Sequence, residues 1–546
     1  MAEHAPAILL IAPLFAAILV SLAGIRRPAR RRIPAAPSDE PSIGGEPFES
    51  PEFPQLKEDK VCFMLTLGAL IVSEVAALTM LGQVIEGGAI RYFVGNWSSP
   101  LGIGIELRVD HINALALVMI STVALLAAFY SNHRVEEETP GKSSQYYTMF
   151  LLCAMGLMGM TVTGDAFNLY VLLEVAALSG YALVAMGDKR AAVAAFNYII
   201  IGTIGASFYL LGVGYLYIKT GSLNMVGIQE IIAEQGLAES KTIQVAFILI
   251  LLGVFIKMAF FPLYAWLPNA YTHAPSTSAC LMAPLVTKVS IYIMVRMMLT
   301  VFGPAFAFDA IGWGDAVVAL AAIGIIASSL IALAQTELKK MLCFLVVAEV
   351  GYMVGGAWLA NHHGMVGAIY HILSDGFMTL CMFLGASILV VKTRQTAIAG
   401  LVDLYRKMPL TMAAFTLGML SMIGVPPTCG FFSKYFLIRG GIEAGQWLYV
   451  VALLFSSLVN AILFFRIIEK AFFGELPAAE AGSGHGHGEQ GHHDGEPGAI
   501  DEAPLSMVAP LAIAAAGLLF IGLNTREIVT VIEQTLNVYA LTGGGG

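Results

Sequence analysis

Lys257 stands inside an apolar run, 245–265, that holds no other charge, and Pro262 follows it five residues later. A second lysine, Lys434, lies beyond another break at Pro426-Pro427. A charge at bilayer depth costs about 2.5–3.5 kcal/mol on insertion scales, so it marks function before packing. Proline in a spanning helix frees backbone carbonyls, which are tolerated where they line a polar cavity or pack against protein. A lysine beside a broken helix, twice in one chain, reads as an ion path. Glu174, Lys288, Glu349, His371 and Asp375 also fall at apolar depth. Glu174, Lys257, Lys288, Glu349, Asp375 and Lys434 together would cost on the order of 15–20 kcal/mol on that scale, more than packing alone justifies. A lysine that burial can discharge and a nearby carboxylate can recharge is a proton switch. The bland alternative for each charge taken singly is a structural ion pair.

The composition requires a membrane. Of 546 residues, 58% are hydrophobic and 12% charged, with mean hydropathy +0.78, far beyond the needs of a soluble core. The net charge of −9 comes from acidic loops. The six cysteines all fall in apolar segments without CxxC spacing, which argues against an iron–sulfur cluster, a zinc site or a disulfide framework. Gly141-Lys142-Ser143 lacks the upstream glycine of a phosphate loop. Neither ATP nor a redox centre is expected to act on this chain directly, and no cofactor is expected.

About fourteen stretches are long enough to span, at roughly 20 residues each, giving an all-α polytopic membrane protein. Two of them, 242–272 and 409–438, are broken. The first stretch lacks a basic segment before it and carries one after it, which reads as a retained helix rather than a secretory signal. With the arginines at 26–32 in the cytoplasm, nineteen of the 29 lysines and arginines fall on that side, six outside and four within the membrane. This bias places both termini on the outer side of a multi-pass chain. Residues 25–60 read as a flexible linker. Residues 474–503 carry His485, His487, His492 and His493 among glycines and acids. Metal capture is the sharper reading of that tract; a solvated loop is the plainer one, because glycine spacing fixes no geometry.

The chain repeats itself. Glu174 and Glu349 are lone carboxylates 175 residues apart, and Lys257 and Lys434 lie 177 apart. The sixth and eleventh spans align with Leu211-Gly212 opposite Leu384-Gly385. Spans 4–8 (146–302) and 9–13 (303–473) read as two five-helix copies, inverted because five is odd. They stand between an N-terminal part, 1–145, and a C-terminal span and tail, 504–546.

Five stretches carry a family resemblance: LYVLLEVAALSGYALVA (169–185), FIKMAFFPLYAWLPNAYTHAPS (255–276), APLVTKVSIYIMVR (283–296), ELKKMLCFLVVAEVGY (337–352) and GVPPTCGFFSKYFLI (424–438). The chain resembles the proton-conducting antiporter-like membrane subunits. These include the D-type subunit of Mrp-type Na⁺/H⁺ antiporters, the large antiporter-like subunits of respiratory complex I, and relatives in membrane-bound hydrogenases. The nearest resemblance is to the D-type Mrp subunit. It implies a subunit of a larger assembly in the cell inner membrane, moving H⁺ in a complex that exchanges it for Na⁺, with other membrane subunits and lipid as partners and no nucleic acid. It implies no stand-alone enzyme, at most a translocase subunit of an NADH-quinone oxidoreductase-like complex. It also implies that Glu174 pairs with Lys257, that Lys288 links two half-channels, and that Lys434 faces the second. Lys339 or Lys340 matches a basic residue before the tenth helix. His273 falls where it could gate or cap.

The second copy departs from the family pattern. Its eleventh span reads His371-Ile372-Leu373-Ser374-Asp375-Gly376-Phe377-Met378-Thr379, where the pattern has a second histidine and a lysine at the places of Asp375 and Thr379. Glu349 replaces a usual glutamine or histidine. Three readings remain open. Glu349 or Asp375 pairs with Lys434, oxygen ligands hold Na⁺ there, or Asp375 merely bonds a neighbouring hydroxyl. For the whole chain the alternatives to an Mrp-type subunit are a pump subunit of a redox-driven complex and a non-conducting scaffold or partner of a separate uptake protein.

Overall fold

A computed structural model describes residues 2–25, 55–97, 104–132, 134–310, 312–473 and 501–538. Most of the linker and nearly all of the tract with His485, His487, His492 and His493 lie outside these residues. Among the described residues, twelve helices are long and apolar enough to cross a membrane. At the places of the two expected broken spans stand two pairs of shorter helices.

In order, the spans are α1 (Ala5–Ile25), α2 (Gln55–Gly87), α3 (His111–Ser131), α4 (Ser143–Val162), α5 (Ala166–Ala185) and α6 (Ala191–Thr220). The first broken span is α7 (Lys241–Lys257) with α8 (Trp266–His273). Then come α9 (Ser276–Arg296), α10 (Gly314–Leu333), α11 (Leu338–Trp358) and α12 (His362–Thr393). The second broken span is α13 (Pro409–Ile423) with α14 (Cys429–Glu443). It is followed by α15 (Trp447–Phe473) and α16 (Leu505–Leu523). An amphipathic helix, α17 (Thr525–Val538), follows within the stretch expected as a tail. Between α2 and α3, β1 (Ile90–Phe93) pairs antiparallel with β2 (Glu106–Val109), marking what we term the hairpin face.

Local chemistry explains the ends. Asp110 caps α3 in a reciprocal box with Asn113, and Asp165 and Asn361 accept from backbone amides at the starts of α5 and α12. Each satisfies donors that a helix start leaves open. The breaks have similar causes. Past α7, Pro262 has no N–H to continue a helix, and the Ile256 carbonyl accepts from Trp266 Nε1 at 3.0 Å and from the Ala259 amide at 3.2 Å. Past α13, Gly424 takes φ 94° and Pro426-Pro427 follows.

The aligned glycines of the sixth and eleventh spans pack alike beside the two breaks. A Cβ added to Gly212 would lie 2.6 Å from Ile250 and 2.8 Å from the Ala246 carbonyl, both on α7. One added to Gly385 would lie 2.3 Å from Phe415 on α13. The aligned glycines thus let α6 and α12 approach the first half of each broken span. α9, α11 and α12 are buried almost throughout, while α1, α2, α6 and α15 show apolar sides outward. The ionisable side chains sit on or beside that buried trio.

Candidate functional site

Four buried clusters lie along the core. In the first, Lys257 ends α7 and its Nζ stands 3.6 Å from Glu174 Oε1 of α5. The Tyr181 hydroxyl, two turns along α5, accepts from the same Nζ at 3.3 Å. Glu174 is the most open ionisable member of the four clusters, 23% exposed. This is the loosest of the pairs.

The second cluster joins α9 to α12. Lys288 Nζ lies 2.8 Å from Asp375 Oδ2, with both side chains fully buried. Nζ also donates to Thr379 Oγ1 at 3.1 Å and to the Ala283 carbonyl at 3.3 Å. Thr379 in turn donates to Asp375 Oδ1 at 2.8 Å. The hydroxyl expected as a possible partner of Asp375 is thus one helical turn away, and it is shared with an ammonium.

The third cluster joins α11, α12 and α14. His371 Nε2 is 2.6 Å from Glu349 Oε2, and Nδ1 is 2.8 Å from Ser433 Oγ. Ser433 spends its one hydrogen on the Gly430 carbonyl at 3.0 Å. On that assignment Nδ1 donates to Ser433, and a single proton lies between Nε2 and Glu349. His371 and Asp375 are four residues apart on one face of α12, so the second and third clusters adjoin.

The fourth is Lys434, and of the readings left open for it, direct ion pairing with Glu349 or Asp375 is not the one the structure shows. Among the described residues no carboxylate reaches ion-pair distance of Lys434. Glu349 is engaged by His371 and Asp375 by Lys288. Lys434 Nζ instead donates to the Met422 carbonyl at 2.7 Å, the Ile423 carbonyl at 3.3 Å and Ser457 Oγ at 3.0 Å. The cause is the side of the break. Lys257 is the last residue before its break, whereas Lys434 follows its own and reaches back to the open carbonyls ending α13, a place that favours a cation. Tyr352 links it to the third cluster, its ring 5.3 Å from Lys434 Nζ and 5.4 Å from the His371 ring.

On the face opposite the hairpin, a cavity of about 340 Å³ is lined by Glu138, Asp188, His273, Ser276, Glu337 and Lys339, among others. His273 Nδ1 meets Asp188 Oδ2 at 2.8 Å, and its carbonyl accepts from the Asp188 amide at 3.2 Å. Partial burial works against ionisation of Asp188, but His273 and the Arg190 and Ala191 amides outweigh it and hold the carboxyl below its usual value. Of the two lysines expected before the tenth span, Lys339 faces the cavity and donates to Ser276 Oγ at 2.6 Å. Glu138 accepts from the Thr277 amide and hydroxyl at the start of α9.

Residues 163–460, which hold all four clusters, match the family model described as NADH:quinone oxidoreductase/Mrp antiporter, TM. The chain belongs to this family. Family relatives include NADH-quinone oxidoreductase subunit N of Desulforudis audaxviator, 39% identical over 85% of this chain and 91% of that one. The D-type Na⁺/H⁺ antiporter subunit of Bacillus subtilis is 29% identical over 73% of this chain and 81% of that one. Among solved structures, a chain of the archaeal membrane-bound sulfane sulfur reductase superposes with TM-score 0.79 at 26% identity, covering 97% of this chain and 96% of that one. A chain of the Mrp complex from a Dietzia species superposes with TM-score 0.81 at 21% identity, covering 99% and 98%, which speaks to the fold alone.

Sequence reading missed the uncharged partners. Tyr181, Tyr352, Ser433 and Ser457 complete the first, third and fourth clusters, and hydroxyls carry no hydropathy signal that sets them apart. It also missed Glu74 on α2, in contact with Thr122 Oγ1 at 3.1 Å and apart from the clusters. Arg296 was visible as a charge in a span, but its partner Asp110, 186 residues away, was not.

Proposed function

We propose that this chain is the ion-translocating subunit of a multi-subunit membrane complex and moves protons along Glu174, Lys257, Lys288, Asp375, His371, Glu349 and Lys434. The observation that carries the reading is the set of buried ion pairs at successive places in the spans, each with a donor that can change state. Ionisable groups at such depth are sustained by function.

The cavity on the face opposite the hairpin supplies the mouth. From there α9 carries Thr277 and Cys280 inward, with Cys280 Sγ 3.7 Å from Ser387 Oγ. Lys288 lies two turns deeper. Among the described residues no side-chain hydrogen bond joins the Lys257 pair to the Lys288 pair, so transfer between them uses water or side-chain rotation. Charge on one pair alters the field at the next, because interactions in a low-dielectric core are weakly screened. The positive-inside count supports placing the cavity in the cytoplasm and the hairpin face, with both termini, outside. The glycine contacts of α6 and α12 support the inverted five-helix copies.

For the host complex, the Mrp-type reading draws on the Bacillus relative, with Na⁺ exchanged against H⁺. A specific observation favours the second reading, a redox-driven complex. Identity to the quinone-oxidoreductase relative is higher and spans more of the chain. Proteins co-purifying with this chain decide between them: small antiporter subunits for the first, iron–sulfur subunits for the second. For translocation itself, the assembled complex in proteoliposomes should move protons when driven, and Lys288→Met should abolish this. Full driven translocation by an assembled Lys288→Met complex would overturn the reading in favour of a scaffold.

A further inference from the structure

Lys288, Tyr292 and Arg296 recur every four residues on α9 and so share one helix face. That face runs from the buried centre to the hairpin face. Arg296 is fully engaged there. Its Nη1 and Nη2 donate to the two oxygens of Asp110 at 2.6 and 3.0 Å. Nε and Nη2 donate to the Tyr292 hydroxyl at 3.0 and 2.8 Å, and Nη1 reaches Thr300 Oγ1 at 3.2 Å. The Arg296 and Asp110 side chains are 9% and 7% exposed.

The surroundings lock this knot. Tyr292 donates to the Thr161 carbonyl at 3.0 Å, and Asn113 Nδ2 donates to the same carbonyl at 3.2 Å. Helices α3, α4 and α9 therefore meet at one point. Glu106 of β2 roofs it, ion-paired with Arg91 at 2.6 Å and accepting from Asn224 Nδ2 at 2.6 Å. A cavity of about 10 Å³ between Glu106, Arg108 and Arg296 is the space left, the size of one water.

The two ends of α9 thus differ in kind. Toward the opposite face lie hydroxyls, a thiol and the large cavity. Toward the hairpin face lies a guanidinium that keeps its proton throughout the accessible pH range, held by a bidentate carboxylate. A group that cannot release a proton cannot relay one, and the bonds that tie Arg296 to Asp110 hold it across the end of this face.

We propose that Arg296 and Asp110 form a fixed-charge seal that closes the Lys288 site to the hairpin face. Ions reaching Lys288 enter from the opposite face and leave only by way of Glu349, His371 and Lys434. The proposal rests on the reading of Lys288 as a proton-bearing site.

The test is passive proton entry. The whole complex is reconstituted in vesicles with a trapped pH dye, and acid is applied at the hairpin face without a driving reaction. Assembled Arg296→Met and Asp110→Asn complexes should leak several-fold faster than wild type, and Lys288→Met added to either should return the leak to the wild-type rate. If Arg296→Met does not assemble, Arg296→Lys reads the same quantity, because lysine can release its proton. An unchanged leak in assembled Arg296→Lys and Asp110→Asn overturns the seal. So does a leak that survives Lys288→Met, since the breach would then bypass the guarded site. Failure of the underlying functional reading shows elsewhere, as driven translocation that persists in Lys288→Met alone.

Discussion

Lys288 Nζ and Asp375 Oδ2 stand 2.8 Å apart with neither side chain exposed, bridging α9 and α12 across 87 residues of sequence. Removing one member of such a pair costs about 3–5 kcal/mol, because the other charge stays buried alone. Asp375→Asn should therefore lower the thermal stability of the assembled complex as well as its flux. Lys288→Met with Asp375→Leu should recover stability but not flux. Thermal unfolding followed on native gels, beside proton uptake, separates the two effects.

The Glu174–Lys257 contact, at 3.6 Å and partly open, is built to break. Glu174→Gln removes the charge that steadies the ammonium and should displace the activity–pH profile or abolish activity. Glu174→Asp should be milder. An activity–pH profile of Glu174→Gln that overlays wild type would separate Glu174 from the path.

Glu349 and His371 share one proton on the assignment given above. Glu349→Gln can keep a hydrogen bond to Nε2 but cannot exchange that proton. It should assemble normally and lose translocation, whereas Glu349→Ala should also lose stability by about 1–3 kcal/mol, the cost of an unsatisfied buried partner. Thermal shift and flux measured together distinguish these outcomes.

The seal has a definite pH response. Burial opposes ionisation of Asp110, but Arg296 beside it, the Asn113 amide and Arg108 outweigh it, so the carboxyl sits below its ordinary value. A carboxyl depressed on folding contributes fully above its unfolded pKa, about 3.9, and the contribution is lost as pH falls through the lower folded value. Passive leak of wild type should stay flat across neutral and alkaline pH. A rise in leak at alkaline pH would show that a different group closes this end.

The spans, the two breaks and most buried charges were legible because apolar length and proline leave plain marks in a sequence. Pairing was less so. Glu174–Lys257 follows from family resemblance, but among the described residues no carboxylate stands at ion-pair distance of Lys434. Lys434 follows its break where Lys257 precedes its own, so the two ammonium groups meet different partners. That Lys288 faces Asp375 depends on how α9 is rotated against α12, which no local pattern encodes. The aligned Gly212 and Gly385 do share a role, because each sits at a close helix approach that tolerates nothing larger. Residues such as Ser433 and Tyr352 became visible only once helix neighbours were known.

Proton translocation by the assembled complex carrying Lys257→Met tests the central claim most directly. The complex is purified through this chain, its assembly checked on native gels, and driven acidification recorded in sealed vesicles. The account predicts normal assembly and no driven proton movement. Wild-type acidification by an assembled Lys257→Met complex would contradict it.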